Sequence, residues 1–232
     1  MSPDDGIRPA LRQAIADYAL FVERGYPVKG VLKLVGDRHR LSGTERNILY
    51  RGVVSRARAA ARRRRLMSPS DVPTGSTIVV DGHNVLFTVV NYLQGRTTFI
   101  ATDGYLRDAG NPARRIRAGE DYRRAVSELG ECFRGLRASL IAVYFDEPVT
   151  YSKDHIGTAR EAWADLEGRL ELQLVGSADQ ALKGRPGDLL ATSDSTLIDA
   201  SPVPVVDIAR WIIEESFGAA LPHLADYVGD GG

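Results

Sequence analysis

From Ile7 to Val22 the apolar side chains Ile7, Leu11, Ile15, Tyr18 and Val22 return every three or four positions, the spacing of one face of an amphipathic helix. Gly25 and Pro27 end it, and a short second helix is expected over 28–35. Ser42-Gly-Thr-Glu45 has the capping-box pattern. It predicts a third helix that carries Ile48, Leu49 and Val53 on one side and runs on through Arg56 and Arg58 into Arg62, Arg63, Arg64 and Arg65. The period then changes. Thr77-Ile-Val-Val-Asp81 and Ser139-Leu-Ile-Ala-Val-Tyr-Phe-Asp146 are apolar runs without alternation, as expected of strands covered on both faces in a parallel sheet. Residues 170–175, 188–192 and 203–206 read as three more strands. Helical stripes run through Tyr122, Ala125, Val126, Leu129, Cys132, Phe133 and Leu136, then through Ile156, Ala159, Trp163 and Leu166, and last through Ile208, Trp211 and Ile212. Strands alternating with helices predict a doubly wound α/β domain behind a small N-terminal all-α domain. The division falls at 1–66 for the helical domain, 67–76 for a Ser, Pro and Gly-rich linker, and 77–232 for the α/β domain. Residues 91–119 fit neither period and read as a long excursion beside the site.

Charge sharpens this division. The formal net charge is zero, but residues 1–76 hold 15 Lys and Arg against 7 Asp and Glu, a net +8, whereas the remainder holds 15 against 23, a net −8. A basic front suits a polyanion and an acidic back suits cations. With 44% hydrophobic residues the chain can bury a sizeable core. The single Cys132 excludes an intramolecular disulfide, and no apolar stretch is long enough to cross a bilayer, so no membrane partner is expected. With no cleavable signal sequence in view, a soluble cytoplasmic protein is the expectation.

The chemistry concentrates in four acidic patches: Asp81-Gly-His-Asn84, Phe145-Asp146-Glu147, Ala178-Asp179 and Thr192-Ser193-Asp194. Asp81, Asp146 and Asp194 each end a predicted strand, where open α/β sheets bind their ligands. Carboxylates gathered there can hold Mg²⁺ or Mn²⁺ against a phosphodiester. Asn84 could set its amide oxygen on a metal-bound water or its NH₂ on a phosphate. The hydroxyls of Thr192, Ser193 and Ser195 could orient Asp194 or position water. Asp179 is a fourth candidate carboxylate, with helix capping as its competing role. Arg107, Arg114, Arg115 and Arg117 form a second basic cluster beside the Arg62 to Arg65 tetrad, and the guanidinium fork suits phosphate. His83 and His155 receive no role, and Cys132, Trp163 and Trp211 are expected to pack.

Taken in order, Ile78-Val-Val-Asp-Gly-His-Asn-Val-Leu86, Val143-Tyr-Phe-Asp146, Ser177-Ala-Asp179 and Ala191-Thr-Ser-Asp194 resemble the motifs of PIN-like nucleases of the NYN type. The chain as a whole also resembles an uncharacterised prokaryotic family in which a small helical domain precedes such a fold. Its signatures are Asp103-Gly-Tyr-Leu-Arg-Asp108 and Asp146-Glu-Pro-Val-Thr-Tyr-Ser152. The resemblance implies a PIN-like sheet and a metal-dependent ribonuclease, with Asp81, Asp146 and Asp194 holding Mg²⁺ or Mn²⁺ and Asp179 as a further ligand. It also implies products with a 5′ phosphate and a 3′ hydroxyl. Structured RNA is the expected partner, held by shape and charge along the arginines. Homodimerisation is left open. One alternative is a non-catalytic PIN-like RNA-binding or assembly module. A phosphatase of the haloacid dehalogenase type would need a second Asp two residues after the first, where this chain has His83.

Overall fold

The computed structural model describes residues 7–110, 115–184 and 187–229. Among them, four helices come first: α1 (Pro9–Glu23), α2 (Val28–Arg38), α3 (Gly43–Gly52) and α4 (Arg56–Arg63). Then come β1 (Leu66–Met67), a 3-10 turn (Pro69–Asp71), β2 (Thr77–Asp81), α5 (Gly82–Leu93), β3 (Thr98–Ile100), β4 (Leu106–Asp108) and α6 (Glu120–Gly135). They are followed by β5 (Leu140–Asp146), α7 (Ser152–Ala162), β6 (Leu170–Val175), α8 (Ala178–Gly184), β7 (Leu189–Ala191), α9 (Ser195–Ala200), β8 (Val205–Val206) and α10 (Ile208–Trp211). A π turn (Ile212–Ser216) and a 3-10 turn (Leu224–Tyr227) close the described chain.

These elements form two compact units, one of Met1–Arg64, Arg96–Asn111 and Ala219–Gly232, the other of Arg65–Gly95 and Pro112–Gly218. In the first, the predicted stripe of α1 is buried as expected through Leu11, Ile15 and Tyr18, together with Val31 and Val35 of α2 and Ile48 and Leu49 of α3. Pro9 stands at the first helical position of α1, where its missing N–H costs nothing. The capping box of α3 is complete: Ser42 Oγ accepts from Glu45 N–H at 3.3 Å and Glu45 Oε2 from Ser42 N–H at 2.8 Å. The single long helix expected beyond it is instead broken. Val53 is extended and Ser55 starts α4 by accepting from Arg58 N–H, so a second cap overrides the continuous helical pattern.

The excursion is also more ordered than its pattern suggested. Thr98–Ile100 and Leu106–Asp108 pair antiparallel, and Phe99 and Ala101 enter the helical core alongside Leu224. Asp103, 1% exposed, sits at the centre of this segment and accepts from Arg62 Nη1 at 2.8 Å and Arg107 Nη2 at 3.3 Å through the same oxygen. Its other oxygen accepts from Tyr105 N–H.

The second unit is a doubly wound α/β domain with a six-stranded parallel sheet in the order β1-β8-β7-β2-β5-β6. β2 is central, and its residues Ile78, Val79 and Val80 are buried on both faces, which explains their unbroken apolar run. From β2 the chain winds outward through β5 and β6, then returns across the sheet to β7 and β8 on the other side. Right-handed crossovers put α5, α6 and α7 on one face and α8 and α9 on the other. Leu66 and Met67 pair with Val205 and Val206 as an edge strand, so the sheet begins at the foot of the segment that composition marked as a linker. Trp163 and Cys132 are buried, and Trp163 Nε1 donates to Val126 O at 2.9 Å, in keeping with packing roles.

Candidate functional site

The winding reverses between β2 and β7, and in open α/β sheets the crevice outside the carboxyl ends of two such strands is where ligands bind. Asp81 ends β2 there. Gly82 turns the chain at once into α5, and a Cβ on it would meet the Tyr144 carbonyl oxygen at 2.9 Å, so only glycine lets the helix start this close to β5. Asp81 Oδ1 accepts from Asn84 N–H at 3.2 Å, which caps α5, and Oδ2 accepts from the Thr192 hydroxyl at 3.2 Å. The capping role and a site role therefore coexist in one side chain.

Asn84 ties the two strand ends together. Its Oδ1 accepts from Ser193 N–H at 2.8 Å, Ser193 Oγ at 3.0 Å and Thr192 Oγ1 at 3.3 Å. The amide oxygen is thus committed to the β7 end and does not serve a metal-bound water. The NH₂ remains for a phosphate. Thr192 also accepts from Asp194 N–H, and Asp194 Oδ1 caps α9 through Thr196 and Leu197 N–H. At the end of β5, Asp146 Oδ1 accepts from Ala178 N–H at 2.7 Å, which brings the start of α8, and Asp179 with it, to the same edge.

Electrostatics register the crowding. Burial is the main cause that pushes Asp81 up to about 7, opposed by the Asn84 N–H and the Thr192 hydroxyl and assisted by the charges of Asp146 and Asp179. Exposed Asp179 is raised by partial burial and by Asp194 and Asp146. Asp146 is held below the ordinary carboxylate range by the His83 ring and by the Ala178 N–H. The ring can lower it only while carrying a proton on Nδ1, but Asp146 N–H points at that nitrogen at 3.1 Å and needs its lone pair. The Ala178 N–H is therefore the cause that the hydrogen-bond geometry supports. All four carboxylates thus share one edge and three of them sense one another, yet among the described residues no three acidic, imidazole or thiolate side chains come close enough to hold a metal ion as placed. In donor type the set suits Mg²⁺ or Mn²⁺, since each carboxylate keeps acceptor capacity beyond the bonds above.

The basic candidates divide. Arg62 and Arg107 are 3% exposed and paired with Asp103, so the expectation that they meet phosphate is corrected: their guanidiniums neutralise a buried carboxylate. Arg63, Arg64, Arg115 and Arg117 are exposed and Arg65 is half-buried. Arg63 donates to Thr102 O at 2.6 Å, and the Arg117 guanidinium lies 4.9 Å from the Tyr151 ring centroid, beside the loop that follows Asp146. Arg114 lies outside the described residues.

Two residues left without a role in the sequence prove central. His83 and His155 are 4% and 0% exposed and lie 3.2 Å apart, Nε2 to Nδ1. Burial and the neighbouring His83 push His155 down to about 4. His83 was visible as the third residue of the Asp81 motif, but nothing local marked His155.

A parallel, doubly wound α/β unit with acidic side chains at its topological switch point defines a class of ligand-binding domain. Within that class the chain belongs to the family described as Domain of unknown function (DUF5616), whose profile matches residues 71–211. Residues 10–65 match a second family, Protein of unknown function (DUF434). The chain is also 27% identical over 206 residues to the Uncharacterized protein MJ0935 of Methanocaldococcus jannaschii, an alignment covering 88% of this chain and 97% of the relative. No solved structure gives a significant match. Among the described residues no helix is long and apolar enough to cross a membrane.

Proposed function

We propose that this chain is a divalent-metal-dependent ribonuclease with a PIN-like active site. The observation that carries the reading is the convergence of Asp81, Asp146, Asp179 and Asp194 on the carboxyl edge of β2, β5 and β7, where Asp81 is raised to about 7 by burial and by the charges of Asp146 and Asp179. Such a set gains most from a cation that replaces mutual repulsion with shared attraction. Asp81, Asp146 and Asp194 would hold Mg²⁺ or Mn²⁺, with Asp179 as a further ligand drawn in on binding. A bound divalent ion lowers the pKa of its water and neutralises charge on the scissile phosphate. The chain's own contribution is to fix these carboxylates on strand ends, to aim the Asn84 NH₂, and to supply Arg115 and Arg117 for the RNA backbone.

A second reading, a non-catalytic RNA-binding or assembly module, draws on a different observation. Asp81 and Asp194 already cap α5 and α9 and no three ligands are gathered. The deciding experiment is cleavage of single-stranded, hairpin and transfer RNAs with Mn²⁺ or Mg²⁺ by the wild type, Asp81→Asn and Asp194→Asn. Metal-dependent cleavage absent from both variants supports the nuclease. Equal RNA binding by all three without cleavage supports the module.

A further inference from the structure

The buried histidine pair runs as a continuous chain of hydrogen bonds whose two ends are main-chain groups. At one end Asp146 N–H stands 3.1 Å from His83 Nδ1. In the middle His83 Nε2 stands 3.2 Å from His155 Nδ1. At the other end His155 Nε2 stands 3.0 Å from the carbonyl oxygen of Ile116. A main-chain N–H can only donate and a carbonyl can only accept, so the sense of the whole chain is fixed. His83 Nδ1 must accept and its Nε2–H must donate; His155 Nδ1 must accept and its Nε2–H must donate. Both rings are therefore neutral and both carry their hydrogen on Nε2.

Packing reinforces that setting. His83 meets the edge of Phe145 at 5.2 Å between centroids, and His155 stacks on Tyr122 at 4.5 Å and touches Phe87 at 5.3 Å. Neither ring has room to turn. The far anchor, Ile116, has a buried side chain between exposed Arg115 and Arg117, so the same chain of bonds pins the segment that presents both arginines.

We propose that His83 and His155 are positioning residues that form a neutral, one-directional strut, holding the Asp146 main chain and thereby aiming its carboxylate at the strand-end cleft. Oriented side chains behind a metal ligand are known to matter nearly as much as the ligand itself. The proposal rests on the metal-site reading only for its effect on cation binding. The strut itself is testable without a metal.

The experiment uses the full chain labelled with ¹⁵N-histidine. Long-range ¹H–¹⁵N spectra of the wild type should show two of the four histidines as Nε2–H tautomers, assigned by their loss in His83→Asn and His155→Phe. A Nδ1–H or doubly protonated ring at neutral pH for either overturns the strut. In His155→Phe, His83 loses the acceptor that sets its tautomer and should show a mixture of forms; an unchanged His83 also overturns it. Amide exchange then reads the Asp146 end. His83→Asn places an acceptor oxygen where Nδ1 stood and should keep the Asp146 N–H protected, whereas His83→Leu should speed its exchange at least tenfold. Mn²⁺ titration by calorimetry should give binding within about threefold of wild type for His83→Asn and about 10- to 100-fold weaker for His83→Leu. Wild-type Mn²⁺ affinity in a folded His83→Leu overturns the positioning role. If the wild type binds no Mn²⁺, the metal reading fails, and tautomer and exchange alone decide the strut.

Discussion

Replacing Asp81 with Asn isolates the charge at the centre of the site. The carboxyl is raised from an ordinary 3.8 to about 7, chiefly by burial. The folded state therefore keeps a proton that the unfolded chain has already released. The linked stability is fully present below pH 3.8 and is lost as pH rises through about 7. The loss steepens toward about 1.4 kcal/mol per pH unit and totals about 4 kcal/mol at most for a shift of about three units. Asn keeps an acceptor oxygen for the Asn84 N–H and cannot ionise. Urea unfolding of both proteins in metal-free buffer from pH 4 to 8 should show wild type losing stability relative to Asp81→Asn across pH 4 to 7. Other carboxylates, among them Glu45, which Arg8 and Ser42 hold at about 2, act equally in both chains and cancel in the difference. Added Mn²⁺ should stabilise wild type above pH 7 by RT ln(1 + [Mn²⁺]/Kd) and leave the variant unmoved. Parallel wild-type and variant curves over the whole range would refute the claim that Asp81 holds this proton.

Other expectations test the surrounding architecture. Asp103→Ala leaves Arg62 and Arg107 buried around a missing carboxylate, and should cost about 3–5 kcal/mol in chemical denaturation. Gly82→Ala forces a methyl against the Tyr144 carbonyl, and should cost about 1–3 kcal/mol and lower Mn²⁺ affinity, as read by denaturation and calorimetry. Changing Arg115 and Arg117 together to Ala should weaken RNA binding and flatten its dependence on log[salt] by about 1 to 2 in slope, measured by fluorescence anisotropy. Arg62→Ala should lower the melting temperature and leave that slope unchanged, because its guanidinium is spent on Asp103.

Most of the second unit was legible because its strands are buried on both faces and so appear as unbroken apolar runs, each ending in a carboxylate. Thr77–Asp81 and Leu140–Asp146 needed no tertiary knowledge to locate. The α3 box was equally visible, since both of its bonds lie within four residues. What escaped is what depends on distant partners. Leu66 and Met67 become a strand only because Val205 and Val206 supply its one edge, and a two-residue run carries no period. Arg62 and Arg107 looked like phosphate ligands because charge alone does not reveal burial, and Asp103 lies 41 residues from Arg62. His155 joins the site through His83, 72 residues earlier. A lone histidine on a helix gives no sign of that.

The mosaic make-up of the helical unit bears on how the protein is born. Its three helices α1 to α3 are among the first residues to emerge during synthesis, yet Phe99 and Leu224 belong to their core, and a Cβ at Gly52 would collide with both side chains. Translation must be almost finished before that core can close. The opening segment therefore waits for the last turns of the chain, so a transcript or gene truncated anywhere before Leu224 yields an unfinished beginning as well as a missing end.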